Sequence, residues 1–463
     1  MKTVRIIGGK PPKGEIQIEV NKNAVLPTLC ATLLSNEDCM LLNTPKSPDV
    51  LKILQAITEL GGNCRWSDND SILIINCKDI QNKPVSDCVS DIQSAILFVG
   101  PLLARFGMAN VPIAIGCKLG YRGPEDHIKY LSKLGVICEF HQESHRIIFS
   151  VDRKLLLSEK ITQINYEITT IKHFIFSEAS VTPTENILML LSCVTAFDVK
   201  IDGIAQEPHV KWLVKILRKM GMDITGEGSV LITKGTLRNM RGFECDFSDE
   251  PDFVDFYGHA VMVALSRGCV NLLCKLTPAI MHMVECLKDT GVVCGILENG
   301  VLILGTRSSL QFEQGFSKAN EHVYKMSPKP WPGFPVDCLP SFIALASTHG
   351  FVNRDTTVNN WMYEDGLSYV KQLQQLEAMI KTYETKYGVQ KIDISTSSKK
   401  IGLNKKIDIE GVPVIEGVRA IISYAIQREG ETFIKDISPI LRRSPTFIEK
   451  LQNIGVDIKV IEL

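Results

Sequence analysis

The chain has 463 residues, too many for a single hydrophobic core, and its length predicts two or three domains. With 45 % hydrophobic and 22 % charged residues it has the composition of an ordinary globular protein. A formal charge of −1 with the signs well mixed leaves no basic footprint, which excludes sequence-independent nucleic-acid binding.

In chain order, one phrase recurs: an apolar position, two residues, an apolar position, then a glycine and a strand-like tail. It first appears as "ITELGGNC" (57–64), followed by the strand signal "ILIIN" (72–76) and a helix pattern in "DIQSAILFVGPLLARF". Next comes "AIGCKLGYRGPEDH" (114–127), where Cys117 lies between Gly116 and Gly120 beside Lys118 and Arg122. Neighbouring cations favour a thiolate and so a reactive setting, and beside that stands the plain alternative that Cys117 is inert packing, as most cysteines are. The phrase returns as "LSKLGVIC" (131–138) before the strand "RIIFSV" (146–151), and as "LRKMGMDI" (217–224) before "VLIT" (230–233). A second long helix pattern, "FYGHAVMVALSRG", precedes "LKDTGVVC" (287–294) and the strand "VLIL" (301–304). A degenerate copy, "LQQLEAMI" (373–380), has Glu377 in the glycine position, and the last copy is "LQNIGVDI" (451–458). The run at 385–406, polar and rich in Lys and Ser, predicts a surface excursion.

Each copy predicts an amphipathic helix that stops at a left-handed glycine and turns into a strand. Copies about 70 to 86 residues apart are too widely spaced for a solenoid and long enough for one compact α/β unit each. Six such units predict two domains of three.

The fourteen cysteines are scattered singly from Cys30 to Cys338 without a CxxC pair, which predicts reduced thiols and a cytoplasmic location. The opening "MKTVRIIGG" lacks the apolar run of a signal peptide, and "ILMLLSCV" is too short to span a bilayer, so no membrane association is expected. Neither a Gly-rich phosphate loop nor metal-ligand spacing is present, and no cofactor or metal is expected.

The opening "GGKPPKGEIQIEVNKNAVLPTLCATLL", the "VGPLLARFG" before the cysteine loop, "QEPHV" (206–210), "FPVDCLP" (334–340) and "EGVRAIISYAI" (416–426) together resemble the UDP-N-acetylglucosamine enolpyruvyl transferases. The resemblance runs nearly end to end. It implies two domains, each an inside-out α/β barrel of three βαβαββ-like units, with 22–249 carrying the cysteine loop and 1–21 joined to 250–463. It also implies transfer of the enolpyruvyl group of phosphoenolpyruvate to a sugar-nucleotide hydroxyl with release of phosphate, a step of peptidoglycan synthesis that fosfomycin blocks. Cys117 then matches the cysteine that helps protonate phosphoenolpyruvate, and Asp337 the carboxylate that takes the acceptor proton. Lys22, Arg122 and Arg419 match the phosphoenolpyruvate-binding cations, and Asn23 the residue that orients the acceptor.

Some positions depart from the pattern. Gln93 and Trp361 stand where the family keeps arginines, Glu178 in place of a lysine near the acceptor's diphosphate, and Phe253 in place of another arginine. Gly123 and Asp126 replace the apolar pair flanking the uracil. The acceptor shell has lost positive charge, so two alternatives stand beside the main reading: a paralogue using another nucleotide or sugar hydroxyl, and a non-catalytic nucleotide-binding descendant.

Overall fold

Six helices end as the recurring phrase predicts. Pro48–Glu59, Glu125–Ser132, Pro208–Lys219, Pro278–Asp289 and Phe447–Asn453 are followed by Gly61, Gly135, Gly221, Gly291 and Gly455, all at positive φ. The sixth, Val370–Gln375, is followed by Glu377 at φ 70°, a left-handed position held without glycine. After each stop the chain enters an edge strand. The structure is a computed structural model that describes residues 2–113, 123–152, 172–192, 198–234, 240–305, 323–348, 355–363, 365–395 and 406–461.

The strands form six sheets of one design. In the sheet of Val293–Leu297, Gly300–Leu304, Cys269–Leu273 and Lys13–Gln17, the post-glycine strand pairs antiparallel with its hairpin partner. The partner pairs antiparallel with a third strand, and the fourth joins that one in parallel. The same order holds elsewhere, except that the sheet of Met108–Pro112, Arg146–Ser150 and Ile137–His141 has three strands among the described residues. In the last sheet, Thr3–Gly8 lies between Gly430–Ile434 and Asp457–Ile461, antiparallel to both.

The described residues divide into two compact units, one made of those between Val20 and Glu250 and the other joining Met1–Glu19 to Pro251–Leu463. Three sheets belong to each, and each has its own apolar core. Helices covered on every side lie within the units: Phe253–Leu265 and Leu339–Ala346 are buried at every residue. Strands such as Ile72–Asn76 bury only alternate residues, so the sheets form the outer layer.

Two expectations are corrected. The polar run at 385–406 contains the strand Gly388–Ile394, which bonds to a neighbour on each side. Its lysine, glutamine and aspartate hid the strand, and a register shift against Tyr383 and Glu384 breaks the alternation, so that Val389, Ile392 and Ile394 turn inward at unequal spacing. The long helix pattern from Asp91 opens as a tight 3₁₀ segment, Gln93–Phe98, and becomes α-helical only at Val99–Phe106.

Candidate functional site

Cys117 and Arg122 lie outside the described residues. Within the unit from Val20 to Glu250, helix Lys22–Ala31 begins with the Asn21 side chain accepting from the Asn23 backbone N–H at 3.1 Å. That cap fixes Lys22 in the first turn, where its Nζ donates to Asp49 Oδ2 at 2.9 Å. The Lys22 side chain is only 12 % exposed and Asp49 is buried, so the ammonium is held rather than solvated. Asn23 and Gln93 are half-buried and Glu178 is exposed. Tyr130 ties Glu178 down through its backbone: the phenol oxygen accepts from Glu178 N–H at 3.1 Å and donates to its carbonyl at 3.3 Å. Nearby in sequence, Ser180 donates to Asp126 Oδ2 at 3.1 Å. Two carboxylates therefore stand at the segments where the resemblance implies a uracil and diphosphate pocket.

The other unit holds a buried ion network. The "DFVD" spacing puts Asp252 and Asp255 one turn apart at the start of helix Phe253–Leu265. Asp252 is the N-cap, accepting from the N–H groups of Val254 and Asp255. Asp252 also takes a two-pronged contact from Arg443, Nε at 3.0 Å and Nη2 at 2.6 Å. Arg419 donates from Nε to Glu416 and from Nη2 to Asp255, both at 2.8 Å, and its Nη1 lies 3.0 Å from His259 Nδ1. Glu416 faces both arginines, with Oε1 3.4 Å from Arg443 Nη1.

Arg419 is 1 % exposed, so the structure places this predicted phosphoenolpyruvate cation inside an internal network rather than at the surface. Burial alone would raise the Asp255 carboxyl, but the charges of His259 and Arg419 hold it well below the usual range. Burial wins at Glu416, whose carboxyl is raised despite both arginines, with the Asp337 and Asp252 charges adding to the rise. Burial opposes the charged form of Arg443, but Asp252, Glu416 and Asp337 more than offset it and raise the guanidinium further. Asp337 sits half-buried in the 3₁₀ turn Val336–Cys338, within the electrostatic reach of Arg443.

Phe253 does not line an open pocket: it is buried, with its ring 5.3 Å from that of Trp331. Trp361 is 52 % exposed and donates from its indole N–H to the Pro328 carbonyl at 2.9 Å. Sequence reasoning missed Asp255, His259, Glu416 and Arg443. For Asp255 and Glu416 the signals were there: carboxylates spaced i, i+3 at a helix start, and Glu416 three residues before Arg419. Among the described residues no group of three or more His, Cys, Asp or Glu could hold a metal ion, and no helix is long and apolar enough to cross a membrane.

The family model of EPSP synthase (3-phosphoshikimate 1-carboxyvinyltransferase) matches residues 6–352. The UDP-N-acetylglucosamine 1-carboxyvinyltransferase of Treponema denticola is 31 % identical over 461 residues, 99 % of each chain. That of Pelagibacter ubique is 28 % identical over 465 residues, 100 % of each. Among solved structures, the enolpyruvyl transferase NikO from Streptomyces tendae superposes with a TM-score of 0.78 at 14 % identity over 99 % of both chains. The EPSP synthase of Acinetobacter baumannii gives 0.68 at 16 % over 100 % of both. At those identities the structural likeness establishes the fold.

Proposed function

The chain belongs to the family of EPSP synthase and the UDP-N-acetylglucosamine 1-carboxyvinyltransferases, as a divergent member, and from that premise we propose that it is a cytoplasmic enolpyruvyl transferase of peptidoglycan synthesis. It transfers the enolpyruvyl group of phosphoenolpyruvate to a hydroxyl of UDP-N-acetylglucosamine. The observation that carries this reading is the end-to-end match, at 31 % identity, to a protein of that name.

The chemistry is addition followed by elimination. In the first step the acceptor oxygen bonds to C2 of phosphoenolpyruvate, the hydroxyl proton leaves to a base, and a proton is delivered to the methylene carbon. In the second the C2–O bond to phosphate breaks as a proton leaves the neighbouring methyl carbon, restoring the double bond. We assign Cys117 as the acid of the first step and Asp337 as its base. Lys22 and Arg122 bind the anionic groups of phosphoenolpyruvate, and Arg419 supplies positive charge from its network with Glu416 and Arg443. Asn23 orients the acceptor, with Gln93 and Trp361 in the acceptor shell. The domains of this reading are 22–249, carrying the cysteine loop, and 1–21 with 250–463.

A second reading, transfer to a less anionic acceptor, is favoured by one observation: exposed Glu178 and the Ser180-bonded Asp126 carboxylate. The deciding experiment incubates the protein with phosphoenolpyruvate and a panel of sugar nucleotides and nucleotides, and follows phosphate release. Release with UDP-N-acetylglucosamine, lowered about 10²-fold or more in Asp337→Asn, is expected. No release with any acceptor overturns the enzyme reading.

A further inference from the structure

Strands Tyr324–Met326 and Thr356–Asn359 run side by side in parallel, with Lys325 opposite Thr357 and Met326 opposite Val358. Their C-terminal ends therefore release two chain segments at the same end of the sheet, the position where ligand-contacting loops collect in sheets with parallel strands. The first segment runs from Pro328 through a turn closed by Gly333 N–H to the Pro330 carbonyl, and leads to Asp337. The second delivers Trp361 after a turn that Asn360 fixes. The Asn360 N–H donates to the Gln390 carbonyl, and its buried side chain accepts from Met362 N–H at 3.2 Å.

The indole is thus fixed at two points, by its own backbone turn and by its N–H on the Pro328 carbonyl. Its polar edge is satisfied against the segment that carries Asp337, yet half of the residue remains open. The tryptophan of the first segment, Trp331, behaves differently: it packs on Phe253 and His282 at 5.3 and 4.8 Å between ring centres. A large apolar ring held rigidly with its N–H already bonded is a preorganised stacking surface.

We propose that Trp361 is the ring-stacking residue for the acceptor, taking a flat sugar or base face next to the segment that bears Asp337. This rests on the enolpyruvyl-transfer reading. It makes acceptor selection at this point a matter of ring contact rather than charge.

The test uses the full chain, wild type and with Trp361→Phe or Trp361→Ala, and reads binding separately from turnover. The probes are UDP-N-acetylglucosamine, UMP and N-acetylglucosamine 1-phosphate, followed by calorimetry and by the fluorescence of the chain's four tryptophans. The acceptor should change the wild-type emission, and Trp361→Phe should abolish that change while keeping affinity within about threefold. Trp361→Ala should weaken acceptor binding about tenfold, as loss of one stacked ring does, and leave the KM for phosphoenolpyruvate unchanged. Whichever fragment shows the same loss identifies the stacked ring. Equal acceptor affinity in Trp361→Ala, an emission change that survives Trp361→Phe, or binding of none of the three probes overturns the proposal. Trp361-dependent binding without phosphate release leaves it standing and overturns the transfer reading instead.

Discussion

Arg443 grips Asp252 with two nitrogens, and Asp252 is at the same time the cap of helix Phe253–Leu265. One carboxylate thus serves a fully buried charge and a helix terminus, two roles that different substitutions separate. Asp252→Ala removes both and strands the Arg443 guanidinium in a buried setting, and should destabilise the protein by about 3–5 kcal/mol. Asp252→Asn keeps a capping oxygen and should lose less. Denaturant titration of both variants checks the order; equal losses would show that the cap contributes nothing measurable.

Gly258 lies under the Arg419 side chain. A Cβ there would meet Arg419 Cδ at 2.2 Å and Nε at 2.8 Å, within the helix and away from any loop that could yield. Gly258→Ala should therefore push Arg419 off Glu416 and Asp255. We expect a stability loss of about 1–3 kcal/mol, together with a raised KM for phosphoenolpyruvate. A variant with unchanged KM would remove Arg419 from the anion-binding set.

Glu185 is buried in helix Val181–Leu191, and burial, with the Glu207 charge second, raises its carboxyl well above the usual range. The folded state therefore binds this proton more tightly than the unfolded chain. Its stabilising contribution is complete below the ordinary glutamate pKa and fades as pH rises from there toward the raised value. Glu185→Gln should flatten that decline, seen as a smaller loss of melting temperature between pH 5 and 8 (about one ordinary titration range above the free carboxyl). An identical pH profile in the variant would show that Glu185 is ionised in the fold.

Labelling by a small electrophile, fosfomycin included, should concentrate on Cys117. Burial pushes the thiols of Cys39, Cys77 and Cys245 up to about 12 and those of Cys138, Cys274 and Cys286 to about 11, leaving almost no thiolate at neutral pH. Cys269 is exposed and serves as the internal control for simple access. Peptide mapping that finds Cys269 labelled as fast as Cys117 would argue that the cationic loop does not activate its cysteine.

Charge at the acceptor segments gives a handle on specificity. Glu178→Lys combined with Gln93→Arg should raise kcat/KM for UDP-N-acetylglucosamine about tenfold, since each change replaces a neutral or repulsive group by a phosphate-pairing cation. Steady-state phosphate release measures it. No gain would place the diphosphate elsewhere.

How much of this was legible beforehand differed by the kind of signal. The glycine stops were readable because a left-handed residue leaves a mark in composition, and even Glu377 kept its place through the flanking apolar spacing. Strand Gly388–Ile394 was not, because its outward positions are charged and only three inward residues carry the pattern. Lys22 and Asp337 could be singled out only through a resemblance of motifs. Arg443 could not be found at all: the run "LRRSP" looks like any basic helix end, and only folding brings it to Asp252, 191 residues away.

The placement of strand Thr3–Gly8 between two strands from the other end of the chain also sets an order of events during synthesis. Gly8 must wait for Gly430, its register partner, so a strand made early is among the last to be used. At about 5–20 residues per second that interval is roughly 20–80 s. Meanwhile the described residues of the unit between Val20 and Glu250 have all emerged before the rest of its neighbour exists. Biogenesis is therefore vectorial for one unit and deferred for the other. Until its partners emerge, strand Thr3–Gly8 stays unpaired with both edges open, which exposes it to pairing with other strands.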